Sequence, residues 1–430
     1  MRRFLSRVLP AMILVVFFLG ADALLAAGSR AANSAILIQT FGWNSQRSGS
    51  PCRWYKLIGE RAEDLAELGV THAWLPPVTR SVSPQGYLPT DYYDLGSKES
   101  PTFYGTLDDL KQCLSKLNAA GISPLADIVI NHRCAGKQDE NGIWNVYQFP
   151  SGKAAWEKWA VVAGEYGGTG KADSGDNFQP APDVDHANSQ VQEDIIAWMN
   201  WLKTLGFKGW RYDFVKGFAP AYVGLYDSKT KPVFSVGELW TNMSYEGSTP
   251  VANQNPHRQQ LCNWLDGAGK TVTVFDFTTK GILQEAVNGD YWRLRDSEGK
   301  ASGLIGWWPQ RAVTFLDNHD TGSQQNHWPF PGQKVMQGYA YILTHPGIPC
   351  LFWEHVYDWN LKAQIRKLTD IRRKFGIDAD SKLEIVKAER GLYAAVIDGK
   401  VAVKLGWVDW SPDPAFKLLA SGDQFAIWGK

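Results

Sequence analysis

The sequence predicts an α/β protein: a (β/α)8 TIM barrel with a small domain inserted after strand 3 and a C-terminal antiparallel β-sheet domain. Three observations lead to this prediction. Helical stretches that end at glycine are repeatedly followed by short apolar strands, one long segment rich in Gly and Asp interrupts that alternation, and short alternating runs close the chain. In a barrel of this kind the functional groups lie at the C-terminal ends of the strands.

Residues 1–32 predict a signal peptide. Three arginines precede an apolar run over 9–19, and small residues follow that run. The run is shorter than the roughly 20 apolar residues that span a bilayer. We therefore expect cleavage between Ala23 and Ala32 and a secreted protein, extracellular or periplasmic. A retained membrane anchor is the alternative.

Eight strands are predicted for the barrel, with helices between most neighbours. The strands are predicted over 35–43, 70–77, 122–132, 207–214, 232–239, 271–277, 312–320 and 347–355. The clearest helices are predicted over 54–69, 107–121, 191–206 and 361–376, and each of them ends at a glycine. Residues 33–132 and 187–376 would form the two parts of the barrel domain.

Two segments depart from the alternation of helix and strand. Residues 133–186 are too many for a plain loop, so we expect them to form a small inserted domain that walls the cleft. Residues 377–430 contain short alternating runs such as "LEIVKAE" and "DQFAIWG", which predict a C-terminal antiparallel sheet domain.

Composition narrows the class of protein. A chain of 430 residues with 44% hydrophobic content can bury a large core. Lys plus Arg and Asp plus Glu both number 44, so no charge excess attracts nucleic acid or an anionic surface. The 20 tryptophans indicate stacking on flat ligands such as sugars. The five cysteines lack CxxC spacing, so we expect no zinc site and at most one or two disulfides.

Polar residues follow apolar ones at the ends of four predicted strands. They are Asp127, Asn131 and His132; Arg211 and Asp213; Glu238; and Asp317, Asn318, His319 and Asp320. A single such residue is more often part of a structural ion pair or a solvated loop than of an active site. Four strand ends of this kind in one barrel favour an active site.

The stretch "GWRYDF" places two opposite charges on one side of a strand. Residues i and i+2 point the same way, so Arg211 and Asp213 would face inward while Trp210, Tyr212 and Phe214 pack outward. We expect Arg211 to lower the pKa of Asp213, as suits a nucleophile.

Glu238, in "VGELW", has apolar neighbours that favour a protonated carboxyl group, as suits a general acid. Together with Asp213 it would form the carboxylate pair of a retaining glycosidase, separated by about 5–5.5 Å.

The motifs "ADIVINH", "GWRYDF", "VGELW" and "FLDNHD" resemble the four signature regions of the α-amylase family, glycoside hydrolase family 13. The order and rough spacing of the motifs also match. "QTFGWNS", "APDVDH" and "GWWPQRAVTF" are similar to the plant-type subfamily. The resemblance extends from about Ala35 to about Gly376.

The resemblance implies a role for each matching residue. Asp213 would be the nucleophile, Glu238 the general acid/base and Asp320 the stabiliser of the transition state. Arg211 would hold Asp213. The other implied sugar contacts are Tyr87, His132 and His319 at the cleaved glucose, Lys216 on the aglycone side, and Trp307 and Trp308 at a surface starch site. For the two tryptophans, packing under a loop is the alternative.

A calcium ion follows from the same resemblance. In the family, ligands on the barrel and on the inserted domain tie the two together, and hard oxygen donors suit Ca²⁺. The matching ligands are Asn131, Asp173 and Asp183, with backbone carbonyls at Asp176 and Gly217. Asx turns in a Gly-rich loop are the alternative interpretation. The segment 143–171 departs from the plant pattern, so we expect one calcium.

We compare one leading hypothesis with three alternatives. The leading one is a secreted, monomeric, endo-acting α-amylase whose partner is an α-glucan, without nucleic acid or stable membrane association. A related exo-acting or maltooligosaccharide-forming amylase is the nearest alternative. A barrel hydrolase with metal bound by His132, His319, Asp213 and Asp320 lacks an early HxH pair and would place Arg211 beside the metal. A non-catalytic glucan-binding protein would need a broken catalytic set, whereas all three carboxylates are present.

Overall fold

A computed structural model describes residues 33–47, 49 and 52–430 of the chain. Eight parallel strands form a closed barrel, in which each strand pairs with the strands before and after it in the chain and the last pairs with the first. The strands are β1 (Leu37–Gln39), β2 (His72–Trp74), β3 (Ser123–Ile128), β4 (Gly209–Tyr212), β5 (Ser235–Gly237), β6 (Thr273–Phe275), β7 (Ala312–Thr314) and β8 (Ile348–Phe352). The predicted barrel is confirmed. The predicted signal peptide lies outside the described residues.

The barrel strands are shorter than the predicted ones because residues at both ends of the predicted runs, apolar as well as polar, lie outside the sheet. β7 ends at Thr314, for example, although the prediction continues to 320. The helices are Trp54–Glu60, Ala62–Glu67, Leu107–Ala119, Ser189–Leu205, Pro220–Thr230, Asn255–Gly267, Phe277–Ala286, Val335–Thr344 and Lys362–Phe375. The first predicted helix is divided into two at Arg61, where the backbone ψ of 3° is not helical. Gly59, a weak helix former, lies in the turn just before this break.

Caps explain where the helices begin and end. Thr106 and Asp109 form a capping box at the start of Leu107–Ala119, and the Asn188 side chain accepts from two backbone N–H groups at the start of Ser189–Leu205. Gly376 ends Lys362–Phe375 at a φ of 66°, a conformation that favours glycine.

The segment after β3 packs onto the barrel through a buried arginine. It contains a short antiparallel ribbon, Lys137–Gln138 with Trp144–Val146, and returns to the barrel through a bridge between His132 and Asp183. Arg133 is fully buried, donates to the carbonyl groups of Thr90 and Ala154, and stacks 4.6 Å from the Trp156 ring. This arrangement fixes one wall of the cleft against the C-terminal face of the barrel.

Five antiparallel strands follow the barrel. They are β9 (Leu383–Glu389), β10 (Leu392–Ile397), β11 (Val401–Leu405), β12 (Lys417–Gly422) and β13 (Phe425–Gly429), in the order β9-β10-β11-β13-β12. The Tyr393 hydroxyl lies 2.7 Å from His345 Nε2 of the barrel, so a buried polar contact joins the two units. The predicted C-terminal sheet is confirmed.

None of the helices in the described part of the chain has the length and apolar character needed to cross a membrane. Cys113, Cys134, Cys262 and Cys350 are free thiols.

Candidate active site

A cleft of about 310 Å³ opens at the C-terminal ends of the barrel strands. Seven of the predicted site residues line it, namely Tyr87, His132, Asp213, Lys216, Glu238, His319 and Asp320. The remaining lining residues are Trp43, Phe178, Phe214, Trp240 and His327. The strand ends that are far apart in the sequence therefore meet at one site.

Arg211 is the charged centre beneath the cleft. Its side chain is fully buried, and Nη1 donates to Asp127 Oδ1 at 2.8 Å and to Asp213 Oδ1 at 2.6 Å. Nη2 lies 2.6 Å from Glu238 Oε1, a close charge contact without hydrogen-bond alignment. One guanidinium thus neutralises parts of three carboxylates, whereas the sequence predicted a single pair.

Arg211 lowers the pKa of Asp213 as predicted, but the expectation of a low pKa for this carboxyl group is wrong. Burial raises the pKa of this carboxyl group well above its usual value, Arg211 opposes the rise, and the nearby charges of Glu238 and Asp127 add to it. The sequence shows that an arginine is near but not that other carboxylates share it. Ionisation of Asp213 therefore depends on Arg211.

Asp127 holds the far side of this charge network. Its Oδ2 accepts hydrogen bonds from Trp74 Nε1 and from the Tyr87 hydroxyl, both at 2.9 Å, while Oδ1 accepts from Arg211. Asp127 lies at the end of a predicted strand, but its sequence context predicts no role for it. Because it fixes both Tyr87 and Arg211, it orients two residues of the cleft.

Phe214 does not pack outward as predicted. Trp210 and Tyr212 do, since they donate to Thr230 and Asp227 on the covering helix. The strand ends at Tyr212, and Phe214 adopts a φ of 44°, which turns its ring into the cleft beside Phe178. Its backbone N–H donates to Glu238 Oε2 at 3.3 Å. The left-handed turn therefore helps to position the proposed acid.

His319 and Asp320 lie on the turn that follows β7. Gln39 Nε2 donates to His319 Nδ1 at 2.9 Å, so the ring proton is on Nε2, which lies 3.4 Å from Asp320 Oδ2. The His319 ring stacks on Tyr87 at 4.8 Å. Burial raises the pKa of Asp320 to about 7, Glu238 adds to the rise, and Arg211 opposes it.

His132 is held as a neutral donor. Its Nε2–H donates to the Tyr87 carbonyl at 2.8 Å, and its ring stacks 3.7 Å from Phe178. Burial lowers the pKa of His132 to about 4. Phe178, like Trp43, Trp240 and His327, was missed in the sequence. Trp43 is the last residue of one predicted strand and Trp240 directly follows another, which was the available signal.

The acidic side chains of the inserted segment meet beside the barrel. Glu165, Asp173 and Asp183 each offer a carboxylate oxygen within 4.8 Å of the others. Burial raises the pKa of Asp183 to about 7, and the charges of Glu165 and Asp173 add to this effect. Glu165 was missed because its segment has no periodicity that predicts a neighbour.

Asn131 presents an oxygen without a partner next to this cluster. Its Oδ1 is buried and accepts no hydrogen bond in the described structure, while its Nδ2 donates to Asp183 Oδ1 at 2.9 Å. A Cβ atom at Gly217 would lie 2.1 Å from Oδ1, so this position requires glycine. Asp176 lies at the edge, with its carboxylate exposed 3.9 Å from Lys216 Nζ. These oxygens fit a hard cation.

Among the described residues, the group of metal-ligating side chains is this cluster and not the alternative set at the cleft. Asp213 is bonded to Arg211 and His132 to a carbonyl group. The hypothesis of a metal-dependent hydrolase therefore has no support in the cleft.

Trp307 and Trp308 lie outside the cleft. Both are half-buried. The Arg258 guanidinium stacks 3.7 Å from the Trp307 ring, and Lys270 Nζ lies 5.8 Å from the Trp308 ring. A cation thus lies against each indole.

Comparisons with known proteins match this chain to α-amylases. The family described as "Alpha amylase, catalytic domain" matches residues 55–262, and "Alpha-amylase C-terminal beta-sheet domain" matches 374–429. "Probable alpha-amylase 2" of Arabidopsis thaliana is 46% identical over 92% of this chain and 94% of its own. "Alpha-amylase 3, chloroplastic" of the same plant is 44% identical over 91% of this chain and 44% of its own.

The solved "Structure of an Alpha-Amylase from Malbranchea cinnamomea" shares the fold. It covers 88% of this chain and 86% of its own, with a TM-score of 0.64 and 18% identity.

Proposed function

The chain belongs to the α-amylase family of glycoside hydrolases that act on α-glucans, and from that premise we propose that it is a secreted, endo-acting α-amylase. It would cleave α-1,4-glucosidic bonds of starch, glycogen and related α-glucans with retention of configuration. The observation that carries the proposal is the arrangement of Asp213 and Glu238 around one buried arginine, with Asp320 across the same cleft. Acid/base and nucleophilic carboxylates at one site are the requirement of glycoside hydrolysis.

In the first step, Asp213 attacks the anomeric carbon and Glu238 protonates the departing glycosidic oxygen. Arg211 opposes the rise in the pKa of Asp213 that burial causes, which favours the ionised nucleophile. In the second step, Glu238 takes a proton from water, which displaces Asp213 from the sugar and regenerates the free carboxylate. The configuration at the anomeric carbon is inverted twice and is thus retained.

The remaining cleft residues bind the sugar. Asp320 stabilises positive charge on the ring and accepts from hydroxyl groups. The Tyr87 ring stacks on a glucose face, and His132 and His319 offer polar atoms to its hydroxyl groups. Lys216 lies on the side of the leaving group. The presence of the Tyr87 and Trp43 rings in the lining of the cleft supports this assignment, because flat aromatic faces suit pyranose rings.

We further propose one structural Ca²⁺ held by Asn131, Asp173 and Asp183, with carbonyl groups at Asp176 and Gly217 and with Glu165 added. When bound, it supplies positive charge that ties the inserted segment to the barrel. The unpartnered Asn131 Oδ1 and the raised pKa of Asp183 support the proposal, because a cation relieves both.

The localisation and the domain boundaries remain proposals. The leader predicted over residues 1–32 supports export, and the mass of the protein recovered from the culture medium would test its removal. Residues 33–132 with 187–376, residues 133–186 and residues 377–430 are the proposed domains A, B and C. A monomer is proposed, with Trp307 and Trp308 as a surface site for starch.

Hydrolysis of soluble starch and of end-blocked maltooligosaccharides tests the proposal. We expect rapid shortening of long chains and cleavage of the blocked substrate. Glu238→Gln should lower kcat by about 10²–10⁴-fold, whereas Glu246→Gln, the same change at an exposed position, should not. Failure to cleave the blocked substrate, with release of short products of one length, would favour an exo-acting enzyme.

A further inference from the structure

A buried lysine lies behind the turn that carries His319 and Asp320. Lys280, in the helix Phe277–Ala286, is fully buried. Its Nζ donates to the Trp328 carbonyl at 2.9 Å, to Gln284 Oε1 at 3.1 Å and to Asp317 Oδ1 at 3.4 Å. All three donor positions of the ammonium group are therefore satisfied by oxygens.

These contacts bind both ends of one segment, residues 317–330. Asp317 at its start also accepts from the Phe330 backbone N–H at its end, at 3.0 Å. Gln284, one turn after Lys280 on the same helix, donates to the Pro329 carbonyl at 3.0 Å. The helix thus closes the 317–330 segment at its base.

A second residue supports Asp317 from the opposite side. His355 Nε2 lies 3.3 Å from Asp317 Oδ2, and its Nδ1 lies 2.9 Å from the Tyr339 hydroxyl. Burial alone would raise the pKa of Asp317, but Lys280 and His355 hold it below the usual value. A charged, fully bonded carboxylate is thus maintained where the segment leaves β7.

Asp320 depends on this segment more than the other two carboxylates do. Asp213 and Glu238 contact Arg211, whereas the described contact of the Asp320 carboxylate is His319 Nε2 on the same turn. The Asp320 backbone N–H donates to Asn318 Oδ1 at 3.0 Å, and its carbonyl accepts from the His327 N–H at 3.2 Å. The direction of the carboxylate is therefore set by the fold of the segment.

A buried ammonium group at this place has an energetic cost. Burial lowers the pKa of Lys280 to about 8, although Asp317 opposes the change. A hydrophobic side chain could fill the same space beside Phe315 and Phe330 without that desolvation. The presence of a cation here is thus better explained by its hydrogen bonds to the two ends of the 317–330 segment than by the filling of space.

We propose that Lys280 is a positioning residue for the hydrolytic reaction, which holds the 317–330 segment so that Asp320 is aimed into the cleft. The inference rests on the proposed function, because it concerns the transition-state role given to Asp320. Lys280 does not line the cleft and would act through Asp320.

Lys280→Met tests this role, with Gln284→Met as a milder change and Lys56→Met as the control at an exposed lysine. A displacement of about 1 Å can cost on the order of 10²-fold in rate. We expect Lys280→Met to lower kcat on an aryl maltotrioside by about that factor with KM little changed, Gln284→Met to lower it less, and Lys56→Met to leave it unchanged. Amide hydrogen exchange over 318–329 should become faster in the first two variants.

A double-mutant cycle separates positioning from general stability. If Lys280 acts through Asp320, adding Lys280→Met to Asp320→Asn should lower kcat by much less than it does in the wild type. Wild-type kcat in folded Lys280→Met, unchanged exchange over 318–329, or full additivity in the cycle would overturn the proposal. If Lys280→Met does not fold, unchanged kcat and exchange in Gln284→Met would overturn it, and the opposite result would support it. Inactivity of the wild type on α-glucans would instead refute the proposed function, and the exchange data would still decide whether Lys280 holds the segment.

Discussion

Replacement of Arg211 by Met should destabilise the protein, because it removes the positive charge that three buried carboxyl groups beneath the cleft share. Arg211 contacts Asp127 at 2.8 Å and Asp213 and Glu238 at 2.6 Å, with no exposed surface of its own. Loss of one partner from a buried ion pair costs about 3–5 kcal/mol. Because three carboxylates lose their cation here, we expect at least the upper part of that range at pH 7.

The size of this effect should depend on pH. Arg211 lowers the pKa of Asp213 and of Asp127 against the effect of burial, so these values rise further in the variant. At any pH between the pKa values of these groups in the wild type and their higher values in the variant, the folded variant binds more protons than the folded wild type. The free energy of unfolding of the wild type therefore exceeds that of the variant by more as the pH rises through this range, and by less as the pH falls.

Calorimetric melting at pH 7 and pH 5 measures this difference. We expect Arg211→Met to lower Tm more at pH 7 than at pH 5, and to lose hydrolytic activity because the pKa of Asp213 rises further and its ionised form becomes rarer. Arg366→Met, at an exposed pair with Glu67, is the control and should change neither. An equal shift of Tm at both pH values, or wild-type kcat in Arg211→Met, would refute the reasoning.

Three further predictions concern calcium, pH and the surface site. Removal of calcium with a chelator should lower Tm, and added Ca²⁺ should restore it. Glu165→Ala should reduce the Tm regained on adding Ca²⁺. A Tm that changes with neither chelator nor Ca²⁺ would contradict the ligand set. Because the pKa of Asp320 is raised to about 7, kcat/KM should fall as the pH drops from about 7, since the protonated group no longer stabilises positive charge; a flat profile from pH 8 to pH 5 would contradict this. Trp307→Ala with Trp308→Ala should reduce retention on starch granules without changing kcat on a short substrate, and unchanged retention would contradict the surface site.

The barrel could be predicted from the sequence because its strands and helices carry local signals. Apolar runs between helices that end at glycine identify the strands. Because functional residues of such barrels lie at the C-terminal ends of the strands, Asp213, Glu238 and Asp320 could be expected at one site. The lengths of the strands could not be predicted, since a polar residue after an apolar run looks the same inside a strand and beyond it.

The errors at the site have physical causes that a linear sequence does not reveal. Alternation placed Phe214 outward, but the strand ends two residues earlier and a left-handed turn reverses the ring. The pKa of Asp213 depends on burial and on Glu238 and Asp127, which lie near it only in the folded chain. Glu165 reaches the acidic cluster through an irregular segment without a pattern that predicts contacts.

The configuration of the first products tests the central claim most directly. Proton NMR of a maltooligosaccharide digest, recorded before mutarotation, distinguishes α from β reducing ends. Attack by Asp213 followed by attack of water predicts that the α-anomer accumulates first. Initial accumulation of the β-anomer would contradict the account, because it requires direct attack of water and assigns Asp213 no covalent role.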